Sequence, residues 1–302
     1  MKSRTAHQIV IALLRPVQRL PLKFHYFWGD VFAWTCRHLA HYREDVVTVN
    51  LARSFPQLKY KELKQIRKDF YNHLGEVFAE TVWLGGCHRN PAKMYRQRLF
   101  TLDGAGELAA ALRTGSVMVL NSHFGNWELM GPFLQAVCDQ PDSGCTENDV
   151  VVVYRHLSGA FAEDFFRTNR CAVQTDAFAG YVESASVLRY AVEHRRERKL
   201  YVFPTDQHPY RMARDRQELE FLHQPTAAMT GAASLAARLG MSVWYMAADR
   251  EARGRYQVRF RRLCDDASAV PPEQLTEAFY RRLEEDIVRN PANYLWSHKR
   301  WK

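Results

Sequence analysis

The sequence predicts an α/β fold: a mixed, largely parallel sheet flanked by helices, preceded by a basic helical region. Three observations point there. From about residue 100, short β-type runs alternate with helical ones, the pattern of a parallel or mixed sheet covered on both faces. Residues 1–100 instead read as helical and carry the positive charge. Finally, 302 residues with 47% hydrophobic and 25% charged side chains are globular and long enough for one large core or a core with an appendage.

Residues 1–100 hold 17 Lys/Arg against 7 Asp/Glu, a net of +10, whereas the remaining residues sum to −1. The apolar run Ile9–Leu14 is too short for a secretory signal and lacks a small-residue cleavage site. Arg15, Pro16, Arg19, Pro21 and Lys23 interrupt it, so it falls short of the ~20 apolar residues that a span needs. The segment continuing through Phe24, Tyr26, Phe27, Trp28, Phe32 and Trp34 mixes aromatic and basic side chains. Rings tolerate the headgroup level and long cations snorkel, so a helix lying in a membrane surface is expected here. Leu63, Ile66, Phe70, Leu74, Val77 and Phe78 then fall near helical spacing and predict an amphipathic helix over residues 59–84, ended by Gly85-Gly86.

In residues 101–302, the expected strands are Ser116–Asn121, Asp149–Tyr154, Leu200–Pro204, Ser242–Ala248 and Tyr256–Arg262. The expected helices are Gly106–Arg113, Asn126–Cys138, Ala160–Arg170, Val182–Arg195, Thr226–Leu239 and Pro272–Arg289. The last opens on proline, which suits a first helical position. The six cysteines form no Cys-x-x-Cys and no zinc spacing. Neither a disulfide framework nor a structural metal is expected, and the environment reads as reducing and cytoplasmic. A basic surface suits anionic lipid, an acidic protein or nucleic acid, but no nucleic-acid recognition motif is present, and no nucleic-acid partner is expected. The run His194–Lys199 reads as cations capping a helix C-terminus.

Sheets of this kind place their ligand sites at the carboxyl ends of strands. The strand Ser116–Asn121 ends directly before His123. Gly125 then permits a sharp turn, and Asn126 is a favoured cap for the helix that follows. Glu128 falls in the first helical turn, where the dipole favours a carboxylate. Across such a turn His123 and Glu128 can converge as a base and its orienting carboxylate, with a substrate hydroxyl serving as nucleophile. The bare His-x4-Asp/Glu spacing is expected about once by chance, and His25…Asp30 is such a match. It lacks a preceding strand and receives no catalytic role.

The block Asn121-Ser-His-Phe-Gly-Asn-Trp-Glu-Leu-Met-Gly131 resembles the signature of the bacterial lipid A biosynthesis acyltransferases of the lauroyl/myristoyl type. Val153-Tyr154-Arg155, Pro204-Thr205-Asp206-Gln207, the small-residue stretch 226–239 and the block from Pro291 to Trp301 resemble further segments of that family, in order. Upstream, Val49–Pro56 is similar to the segment following its membrane anchor. The resemblance implies a glycerolipid-acyltransferase-like fold and an acyl-carrier protein or acyl-CoA as donor. It also implies a lipid A precursor as acceptor and residence on the cytoplasmic face of the inner membrane, with no cofactor. Family members carry a clear N-terminal transmembrane helix, and this chain's equivalent is short and broken.

Four further residues are candidate substrate-binding groups. Asn126 opens the helix; Arg155 ends a strand, where it suits an oxyanion or a phosphate; Asp206 ends another, where it suits positioning of the acceptor or ordering of Arg155; Arg170 closes a helix. Trp296, His298, Arg300 and Trp301 are candidates for anchoring the C-terminus near lipid or phosphate, or for core packing. Alternative functions keep the chemistry with another glycolipid or amino lipid as acceptor, or direct the acyl group to water as a hydrolase.

Overall fold

A computed structural model describes residues 10, 13–88, 90–157, 159–209 and 216–301. After a helical stretch at residues 13–18 come α1 (Leu22–His38), α2 (Glu44–Ser54) and α3 (Tyr60–Leu84). The short α4 (Pro91–Arg96) leads into β1 (Phe100–Asp103), α5 (Ala105–Thr114) and β2 (Val117–Asn121). The central part runs α6 (Met130–Cys138), β3 (Val150–Tyr154), α7 (Ala160–Arg170), β4 (Tyr181–Glu183), α8 (Val187–Glu193) and β5 (Leu200–Pro204). A hairpin, β6 (Arg216–Phe221) and β7 (Gln224–Met229), precedes α9 (Gly231–Arg238), β8 (Ser242–Ala252), β9 (Arg255–Cys264) and α10 (Pro272–Arg289).

The main sheet has the order β1-β9-β8-β2-β5-β3-β4. β8, β2, β5, β3 and β4 are mutually parallel, and β9 returns antiparallel beside β8. The mixed, largely parallel sheet flanked by helices is thus the fold that the alternating pattern predicts. Central strands such as Val117–Asn121 are buried at every position, as a sheet covered on both faces requires. One face buries Met118, Leu120 and Tyr201 with Phe70, Tyr71 and Phe279. The other buries Val117, Val119 and Val202 with Leu108, Phe133 and Trp83. Helix α3 contributes to both clusters, so it passes across an end of the central strands rather than along one face.

Of the apolar run Ile9–Leu14, Val10, Leu13 and Leu14 are among the described residues and the rest lie outside them. Among those described, no helix is long and apolar enough to cross a membrane. Helix α1 nevertheless turns an apolar stripe outward: Phe27 is 61% exposed and Trp28 and Trp34 are each 51% exposed. Its inner face is small. At the crossing of α1 with α3, a Cβ on either Gly29 or Gly75 would run into the other's carbonyl oxygen.

Several expectations are corrected. The stretch expected as one helix over Thr226–Leu239 begins as β7, with the helix confined to Gly231–Arg238. Its Ala-rich composition suits a helix, but Gln224, Thr226 and Ala228 are buried alternately, the period of a strand. The hairpin turn has Leu222 and His223 at positive φ, without the Asn-Gly signal that marks such turns. Likewise Val182, expected to open a helix, belongs to β4, and α8 starts at Val187. The cysteines are expected to form no disulfide framework, and a single pair, Cys138 and Cys145, is joined, closing the loop after α6.

Candidate functional site

Strands β2 and β5 pair in a register that sets Asn121 opposite Pro204, and the Thr205 N–H donates to the Asn121 carbonyl at 2.9 Å. His123 and Asp206 each lie two residues further on. The His123 ring Nδ1 is 2.8 Å from one Asp206 oxygen, while the other oxygen accepts the His123 backbone N–H at 3.0 Å. Asp206 is buried and the imidazole partly so. A carboxylate on Nδ1 fixes the proton there and leaves Nε2 as the acceptor. Consistently, the Gln207 side-chain amide donates to Nε2 at 3.1 Å.

Burial alone pulls the imidazole pKa down, but the charge and hydrogen bond of Asp206 outweigh it, and the net displacement is upward. For Asp206 burial pushes the carboxyl up, and the His123 ring and backbone more than reverse it, so it is held below the usual range.

The turn after His123 is built as its residues suggest. Gly125 has φ +72, and a Cβ there would collide with the Ala248 carbonyl oxygen; glycine is required on both counts. The Asn126 side-chain oxygen accepts the Glu128 N–H at 3.0 Å, capping a 3₁₀ turn over Trp127–Leu129 that runs into α6. Helix α3 clamps this turn from outside: the His73 ring Nε2 meets the Gly125 carbonyl at 3.0 Å, and the Glu80 carboxylate accepts from the Asn126 amide at 2.5 Å.

Glu128 does not orient the imidazole, which corrects the expected pairing. Its two oxygens accept from the Arg170 guanidinium at 2.6 and 2.8 Å, a bidentate pair. The third Arg170 contact donates to the Tyr181 hydroxyl at 3.0 Å. Burial lowers the guanidinium pKa but Glu128 raises it further, so the group stays charged. Glu128 is close enough to act on His123 through its charge, in the direction that favours imidazolium. Glycine and the helix start turn the carboxylate toward α7, and the partner that the imidazole takes comes from the next strand.

The remaining candidates separate. Arg155 sits exposed at the end of β3 on the rim of a cavity that His123, Trp127, Arg170 and Gln207 also line. Asn126 does not reach that cavity: it is fully buried, with both ends of its amide engaged inside the protein, so its place is structural and not on the substrate. Trp296 and Arg300 are buried and take no part in any exposed anchor. The C-terminal block instead straps the turn after His123, the Leu295 N–H donating to the His123 carbonyl at 3.1 Å. Gln207, Tyr181 and the α3 residues His73 and Glu80 receive no role from the sequence. Gln207 stands in the strand-end block beside Asp206, whereas the others carry no local signal.

The cavity, about 730 Å³, arises because β3 and β5 pair only as far as Val152 and Val202. Beyond that point Val153 and Tyr154 part from Phe203 and Pro204, and all four line the opening. Its walls are mainly apolar, and Met130 and Phe178 add to them. The site thus joins an imidazole with an acceptor nitrogen, a partly buried guanidinium and an apolar chamber, a combination able to take a proton from a hydroxyl and to stabilise an oxyanion.

The sequence profile of the bacterial lipid A biosynthesis acyltransferases matches residues 2–302, and the chain belongs to that family. It is therefore an acyltransferase with a role in lipid A biosynthesis. No curated protein matches the chain.

Proposed function

We propose that this protein transfers a fatty acyl group from a thioester, on acyl-carrier protein or CoA, to a hydroxyl of a lipid A precursor at the cytoplasmic face of the inner membrane. The observation that carries the reading is the placement of His123: Nδ1 is held by Asp206, and the ring lines the apolar cavity. The acceptor hydroxyl displaces the Gln207 amide from Nε2 and gives up its proton there. Its oxygen attacks the thioester carbonyl, the tetrahedral oxyanion collapses, and the C–S bond breaks. The imidazolium returns its proton to the departing thiolate. Asp206 balances the imidazolium charge during the step, and Glu128 supports it from a distance. Arg170, and Arg155 at the rim, supply positive charge for the oxyanion or for phosphate groups.

The outward stripe Phe24, Phe27, Trp28, Val31 and Trp34 on α1, with exposed Arg15, Arg19 and Lys23 around its start, supports docking on an anionic lipid surface. Mass spectrometry of membrane lipids from cells with and without the protein tests the whole reading. A gain of one acyl chain on lipid A, absent with His123→Ala, is expected. Consumption of acyl thioester with release of free fatty acid, and no lipid product, would assign hydrolysis instead.

A further inference from the structure

Three donors converge on one buried carboxylate on α3. Tyr26 of α1 donates its hydroxyl to Glu80 Oε1 at 2.7 Å, and Tyr256 of β9 and the Asn126 amide donate to Oε2 at 2.8 and 2.5 Å. Glu80 is wholly buried at 0% exposure and touches neither the cavity nor His123. The chemistry of the asparagine gives this contact a consequence. The two ends of a carboxamide have nearly the same shape and opposite hydrogen-bonding character. Only the oxygen end can cap the Glu128 N–H. Burial pushes the Glu80 carboxyl pKa up and its three hydrogen-bond donors act against that. With both oxygens taken up as acceptors, the group binds the NH2 end and thereby forces the oxygen toward the cap.

We infer that Glu80 is a positioning residue of the transfer reaction, setting the orientation of the Asn126 amide and through it the start of the helix that carries Glu128 toward Arg170. The inference rests on the proposed acyl transfer for its kinetic consequence, but not for its geometry. With Glu80 replaced by a group that also donates, the amide turns over, the cap on Glu128 is lost, and the ion pair on the cavity wall shifts. The two tyrosine hydroxyls are less demanding, because each rotates freely between donating and accepting.

The experiment is an exchange of polarity. Glu80→Gln leaves Asn126 facing a mixed donor and acceptor; Asn126→Asp sets two carboxylates against each other. The double variant restores a matched pair, with the glutamine NH2 donating to one aspartate oxygen while the other caps Glu128. Each single variant is expected to lose kcat about tenfold or more with KM for the thioester nearly unchanged, and the double variant to recover to within about threefold of the native chain. Tyr26→Phe removes a donor remote from the turn; it should lower the melting temperature and leave kcat in place, separating packing from positioning. A second readout does not require turnover. In protein labelled with 5-fluorotryptophan, the ¹⁹F signal of Trp127, assigned by its loss in Trp127→Phe, should move in both single variants and return in the double one.

Native kcat in Glu80→Gln, or a double variant no better than either single, overturns the inference. Should the native chain transfer no acyl group at all, the functional reading fails on its own. The ¹⁹F signal then decides: unmoved by Glu80→Gln, it overturns the positioning role; moved and restored by the exchange, it upholds that role.

Discussion

The His123 imidazole and the Asp206 carboxylate meet at 2.8 Å because two parallel strands end in step, each placing its polar side chain two residues beyond a register pair. Residues 83 apart in the chain thereby form the proposed base and its partner, while the carboxylate five positions from the histidine pairs with Arg170 instead.

This arrangement fixes the pH behaviour. The base must be neutral to accept a proton, and its pKa is held above the ordinary histidine value of 6.5 by Asp206, against burial that acts in the opposite direction. Turnover should therefore fall as pH drops through that raised value. His123→Ala should cost about 10³-fold in kcat. Asp206→Asn should lower the plateau and move the acidic limb to lower pH, because the charge that raises the imidazole pKa is gone. A limb that stays in place in Asp206→Asn, measured as kcat/KM against pH, would remove Asp206 from this role.

Losing Glu128 and Arg170 together should cost less than the two losses taken separately. Arg170→Gln strands a buried carboxylate and is expected to destabilise the fold by about 3–5 kcal/mol. Glu128→Gln with Arg170→Gln together should cost less than the sum of the two single changes. Denaturant melts of the three variants supply the cycle, and strict additivity would mean that the two groups are not coupled.

The outward aromatics of α1 predict a binding phenotype without a folding one. Replacing Trp28 and Trp34 by serine should reduce partitioning onto anionic vesicles by about tenfold or more. Stability should change by no more than about 0.5 kcal/mol, since both rings already face outward. Vesicle flotation and thermal melting report the two quantities separately. Undiminished flotation would place the lipid contact elsewhere.

Glu76 ties α3 to β8 by an ion pair with Arg250 at 2.5 Å and reaches Arg253, which also holds Asp30 of α1. Burial pushes its carboxyl up, but the His73 ring and Arg250 more than reverse this and hold it at about 2, against an ordinary 4.5. A depressed carboxylate contributes stability above its unfolded pKa and loses it as pH falls toward the folded one. On the order of 3 kcal/mol should thus disappear between pH 4.5 and 2. Glu76→Gln should be less stable at neutral pH and show a shallower acid slope. An identical slope in urea melts from pH 5 to 2.5 would contradict this.

Much of the site was readable where its signals are local. A strand ending at His123, a glycine needed for φ +72 and an asparagine cap are decided by neighbours within a few residues, and the sequence displays all three. The β6–β7 hairpin escaped because its turn uses Leu222 and His223 at positive φ instead of glycine. The Cys138–Cys145 bridge escaped because its spacing matches no familiar framework.

By itself the sequence determined the alternation of strands and helices, the family, and the identity of the proposed base. Hydrophobic period and turn chemistry are properties of short segments. Which carboxylate serves the imidazole was decided only by strand order, for nothing in the segment Leu200–Pro204 says that it lies beside Val117–Asn121. The clamp from α3 has the same origin: a buried carboxylate finds its partners only once the chain has closed around it, because desolvation makes hydrogen-bond donors obligatory there and nowhere else.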